Sequence, residues 1–136
     1  MSLVLDVSIA AAWAFDDETT METEHIAFLV EDGGAVVPAH FAVELANILL
    51  TAERKKRISP AGLRDHMALL GKVRLKIDNE TSVQAGERTA DLARSETLSV
   101  QAAAYLELAL RLGLPLATLD SRLVSAAHRC GVTVLP

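Results

Sequence analysis

Three carboxylates, Asp6, Glu44 and Asp120, occupy positions from which they could share one ion. Asp6 closes the apolar run Leu3-Val4-Leu5, and Asp120 comes just after a second such run, Leu114 to Thr118. Glu44 interrupts the apolar series Phe41, Leu45 and Ile48. Carboxylate oxygens are hard donors that suit Mg²⁺ or Mn²⁺, ions that keep several waters and accept substrate phosphates as further ligands. A plainer reading exists for the two aspartates, since Asp before a helix often serves only as its cap. It does not extend to Glu44, because a carboxylate turned inward without a partner or cation is costly to bury.

The elements that must position these groups follow from periodicity. Leu3-Val4-Leu5 reads as a buried strand, with Ser8 placed to cap a helix from Ile9 to Phe15. Thr19 and Glu22 have the spacing of a capping box, opening a helix that stops at Gly33-Gly34. Ala35-Val36-Val37 is a second strand, and one-face apolar spacing from His40 to about Lys56 predicts an amphipathic helix. Ser59-Pro60 starts a helix ending at Gly71. Lys72 to Ile77 alternates charged and apolar residues, as in a strand near a sheet edge, and a polar-faced helix from Glu80 to Arg94 follows. Ser99 caps an apolar helix from Val100 to Leu112, with Glu107 and Arg111 expected as an ion pair on its wet side. A fourth strand spans Leu114 to Thr118, Asp120 opens a helix ending near Cys130, and Val132 to Leu135 offers a fifth strand. Asp78 is expected to cap a helix.

Strands alternating with helices imply right-handed crossovers and a mostly parallel sheet of four to five strands covered on both faces, a three-layer α/β/α domain over residues 1–136. Ligands of such sheets bind beyond the carboxyl ends of the strands, the rim to which parallel pairing brings Asp6 and Asp120.

Composition narrows the function classes. A chain of 136 residues, 51% hydrophobic and 4% aromatic, can bury an aliphatic core without disulfides. Its lone Cys130 points to a reducing compartment, and a cytoplasmic protein is expected. The N-terminus lacks the basic start of a signal peptide, and no stretch is long enough to span a membrane. A formal charge of −5 excludes a uniformly basic nucleic-acid glove, so a polyanion must be met locally or through a cation. The basic candidates are Arg54-Lys55-Lys56-Arg57, Arg64, and Lys72, Arg74 and Lys76, which read equally as solvated surface and a charged strand edge. No glycine-rich nucleotide motif is present, and a haloacid-dehalogenase-type phosphatase would need a second Asp where Ser8 stands. The four histidines lack metal-ligand spacing, although His40 precedes the helix of Glu44.

The segments LVLDVSIAAAWAF, VVPAHFAVELANILL and LSVQAAAYLELALRLGLPLATLDSRLVSAAHRCGV together resemble the PIN domain, specifically the VapC-type toxin ribonucleases of bacterial toxin–antitoxin pairs. That resemblance implies an endoribonuclease using Mg²⁺ or Mn²⁺, with Asp6, Glu44 and Asp120 as ligands and Ser8, Asn47 and Thr118 supporting them. It implies RNA as substrate, a cognate antitoxin and a homodimer. Family members carry a further Asp one turn into the helix after the Leu-Ser/Thr cap, where this chain has Gln101-Ala102. Helical spacing turns Ala102 toward the sheet and puts Glu107 about 140° away, so Glu107 cannot stand in for the absent acid. The rival reading is therefore a catalytically degenerate PIN-like module that pairs with an antitoxin or RNA without cutting efficiently.

Overall fold

A computed structural model describes residues 2–136. At its centre lies β1 (Leu3–Leu5), every residue of which is buried. It pairs in parallel with β2 (Ala35–Val37) on one side, Leu3 opposite Ala35, and with β4 (Leu116–Ala117) on the other, Leu5 opposite Ala117. β3 (Leu75–Ile77) and β5 (Val134–Leu135) complete an all-parallel sheet of order β3-β2-β1-β4-β5. Strands buried on both faces read as unbroken apolar runs, which is what LVL and AVV are. The chain leaves β1 toward β2 and returns on the other side as β4, so the crevice at their carboxyl ends is the switch point of the fold.

Helices flank the sheet. α1 (Val7–Ala12) packs on α3 (Phe41–Arg54), which packs on α4 (Pro60–Leu70). α2 (Met21–Gly33) leads into β2. After β3 come α5 (Thr81–Gln84), a π-helical stretch Ala85–Thr89 and α6 (Ala90–Glu96). α7 (Val100–Leu112) lies across β1 and β4 and contacts both α6 and α8 (Ser121–Arg129).

Several sequence expectations shift. Asp6, not Ser8, caps α1, accepting the Ser8 amide, so the helix begins two residues earlier than spacing suggests and ends at Ala12. The capping box of α2 is formed by Thr20 and Thr23. Thr19 is unavailable because its hydroxyl closes the preceding turn on the Ala12 and Phe15 carbonyls. β3 is shorter than the alternating pattern, since Lys72 and Val73 still bond back to the last turn of α4, but its place at the sheet edge stands.

The largest correction concerns Glu107, which is 4% exposed. Arg111 grips both Glu107 oxygens and also forms a fork to buried Asp78, at 3.0 and 2.7 Å. Asp78 thus secures the edge strand to α7 besides accepting, at the entry to α5, the Glu80 amide and the Thr81 hydroxyl. Among the described residues no helix is long and apolar enough to cross a membrane.

Candidate active site at the strand-end crevice

Asp6 is buried at the end of β1, with its amide bonded to the Ala117 carbonyl of β4. Its Oδ2 accepts the hydroxyls of Ser8 and of Thr118, the latter at 2.8 Å. Those hydroxyls also accept hydrogen bonds: Ser8 Oγ from the Leu119 amide across the crevice at 2.9 Å, and Thr118 Oγ1 from the Asp120 amide of its own segment at 3.1 Å. The Asp-x-Ser and Thr-x-Asp triplets therefore interlock across the β1–β4 pair. Among the described residues, Asp6 Oδ1 accepts no hydrogen bond and no fully buried side-chain polar atom lacks a partner, so Oδ1 reaches solvent. Burial pushes the Asp6 carboxyl above the ordinary value against the pull of both hydroxyls, and the charge of nearby Glu44 adds to the rise.

Glu44 projects from the first turn of α3, half-buried. Its Oε1 accepts the Tyr105 hydroxyl at 2.7 Å and lies 3.2 Å from His40 Nε2. Burial would raise this carboxyl, but the His40 and Tyr105 hydrogen bonds outweigh that and hold it below its usual range. His40, which also approaches the Gln101 carbonyl at 3.2 Å, is raised chiefly by its bond to Glu44. Asp120 is exposed and caps α8 through Oδ1, bonded to the amides of Arg122 and Leu123.

The sequence-predicted residues are not gathered equally. Asp6, Ser8 and Thr118 form one bonded unit, Glu44 is electrostatically coupled to Asp6, and Asp120 is tied in through its backbone. Among the described residues, no three His, Cys, Asp or Glu side chains stand close enough to hold an ion unaided. Asn47 is exposed one turn beyond Glu44, beside Phe15 and Lys55 in a shallow groove. Ala102 is half-buried, its amide bonded to the Ser99 cap.

The basic candidates are all exposed; Arg57 is engaged by Asp17 and Glu18 and lies 4.4 Å over the Phe15 ring, and Arg74 donates to the Asp32 carbonyl. Tyr105 was not foreseen at all. A phenol on the buried stripe of a helix needs a polar partner, and Glu44 was the inward carboxylate without one.

The donor set fits a hard divalent cation in chemistry. Asp6 Oδ1, Glu44 Oε2 and Asp120 Oδ2 carry no hydrogen bond among the described residues, while the other oxygen of each carboxylate is anchored. Mg²⁺-type ions are commonly held by one or two carboxylates, with water and phosphate completing the shell, so a closed protein cage is not required. Because Thr118 joins the two strand ends, Thr118→Val is expected to lower stability by about 1.5–3 kcal/mol, the range for a hydrogen bond to a charged group. Denaturant unfolding would measure it, with an unchanged midpoint refuting this role.

The fold has a solved counterpart. The crystal structure of PAE2754 from Pyrobaculum aerophilum matches with a TM-score of 0.72, covering 98% of this chain and 89% of that one at 18% identity, a likeness that speaks for the fold alone. No curated protein matches the chain in sequence. The family model described as PIN domain matches residues 3–129, from the first residue of β1 to the last of α8. A match reaching over all the crevice residues places this chain in the PIN domain family, a nuclease superfamily.

Proposed function

We propose that the chain is a divalent-metal-dependent endoribonuclease of the toxin type, hydrolysing RNA phosphodiester bonds at the β1–β4 crevice. The observation that carries this reading is the division of labour on Asp6: one oxygen is saturated by Ser8 and Thr118, and the other is left free at solvent. The two hydroxyls offset the burial of that oxygen and fix the rotamer of the side chain, while the same oxygen, not its partner, also accepts the capping Ser8 amide. Asp6, Glu44 and Asp120 would hold Mg²⁺ or Mn²⁺. When bound, such an ion polarises the scissile phosphate and lowers the pKa of a water that attacks in line. Ser8 and Thr118 keep Asp6 oriented, and the α8 amides do the same for Asp120. With these carboxylates facing a polyanion, cleavage depends on the cation to reverse the local charge. A cognate antitoxin, a homodimer and a cytoplasmic setting belong to the same reading.

Ala102 makes the test specific. The unchanged chain is expected to cleave RNA weakly with Mn²⁺, and Ala102→Asp to cleave it faster by placing a carboxylate on the turn of α7 next to His40 and Glu44. The measurement is cleavage of a mixed RNA pool with Mn²⁺ and with chelator. Folded protein inactive in both forms sinks the nuclease reading and leaves the non-cutting module in its place.

A further inference from the structure

Resting on that metal-dependent reading, we propose that Tyr105 is a positioning residue, the fixed point that presents Glu44 Oε2 to the ion beside Asp6. A Glu side chain has three rotatable bonds, and among the described residues no backbone amide holds the carboxylate of Glu44, which is partly open to solvent. Two groups restrain it, and they differ in firmness. His40 is 26% exposed in its side chain and divides Nε2 between Glu44 and the Gln101 carbonyl. Tyr105 is fully buried in α7, its ring locked by the core and meeting the His40 ring edge-on at 5.5 Å between centroids. Its hydroxyl donates to Glu44 Oε1 at 2.7 Å, the shorter of the two contacts.

Because α7 lies across β1, the strand that ends in Asp6, one rigid helix sets where Glu44 stands relative to Asp6. Tyr105 also sits three residues beyond Ala102 on the same helix. The helix that lacks a carboxylate at Ala102 thus contributes a neutral donor instead, acting through the acid of α3. Its use is to fix which Glu44 oxygen remains free.

The experiment measures Mn²⁺ affinity by titration calorimetry on the full chain, with metal-free melting temperature alongside, for the unchanged chain, Tyr105→Phe and the core control Leu106→Val. Tyr105→Phe keeps the ring and removes only the hydroxyl. The expected result is Mn²⁺ affinity weakened about 10–100-fold, as when an outer partner of a metal ligand is lost, together with a smaller thermal stabilisation by Mn²⁺. Leu106→Val should lower the melting temperature and leave the affinity unaltered. Equal Mn²⁺ affinity in Tyr105→Phe and the unchanged chain overturns the positioning role while leaving the metal site standing. An equal loss in Leu106→Val also overturns it, because the effect would then be one of core packing. Failure of the unchanged chain to bind Mn²⁺ overturns the metal reading itself, and this inference with it.

Discussion

Asp6→Asn is expected to abolish the metal-dependent RNA cleavage proposed above and, at the same time, to make the protein more stable. On activity, the substitution keeps an oxygen for the Ser8 and Thr118 hydroxyls but replaces the free carboxylate oxygen with an amide that cannot ligate a cation. The loss should exceed the roughly 100-fold that removal of a supporting partner costs. On stability, burial raises the Asp6 carboxyl, so the folded state holds this proton more tightly than the unfolded chain does. As pH rises from the ordinary carboxylate value through the folded value, ionisation increasingly penalises the folded state, and the penalty stays in full at neutral pH. The variant carries no such charge. It should therefore melt higher than the unchanged chain near pH 7, with the gap closing as pH falls below about 4. Paired melting curves across pH would show this, and a variant that melts lower at pH 7 would refute it.

Arg111→Ala should produce the largest loss of stability, about 3–5 kcal/mol, the usual cost of removing one partner from a buried ion pair. The guanidinium satisfies two carboxylates at once, and its removal strands both Asp78 and Glu107 in the interior. In melting temperature this amounts to about 10 °C or more for a domain of this size. The pH dependence has a definite sign. The Arg111 fork holds the Asp78 carboxyl below its ordinary value, so the stabilisation is present above that value and is lost as pH falls through the folded one. The deficit of the variant should therefore be greatest near neutral pH and shrink on acidification. A pH-independent difference would mean that lost packing of the Arg111 stem outweighs the charges.

Both predictions start from residues the sequence treats very differently. Asp6 and Asp120 were legible because each closes a short apolar run, and parallel pairing carries strand ends to one rim without any knowledge of side chains. Glu44 was legible through its cost, as an acid on an otherwise apolar stripe. The order of elements and most helix ends followed from the same local rules, with Ser59, Ser99 and Gly113 placed where caps belong.

What escaped was set by distant partners. Glu107 and Arg111 look like a surface pair at four-residue spacing until Asp78, thirty-three residues before Arg111, turns that face inward. Tyr105 reads as core until Glu44 is seen against it. The family resemblance named Ser8 and Thr118 as supports, but the divided roles of the Asp6 oxygens did not follow from spacing, since they depend on two hydroxyls meeting from the segments that follow β1 and β4. The division of the Asp120 oxygens was hidden for the same reason: topology delivers backbones to a rim, and α8 then turns one Asp120 oxygen back onto its own amides.

The hydroxyl clasp between the two triplets also bears on when the site can come into being. Asp6 and Thr118 are 112 positions apart, so the clasp closes only after the whole span between them is available. Long-range parallel pairing of this kind is slow, because the entropy of loop closure is lost before contacts repay it. A chain still emerging from the ribosome has Asp6 but neither the Thr118 hydroxyl nor the Leu119 amide to orient it. On the ribonuclease reading proposed above, this ordering withholds the assembled centre until the chain has been made past Leu119.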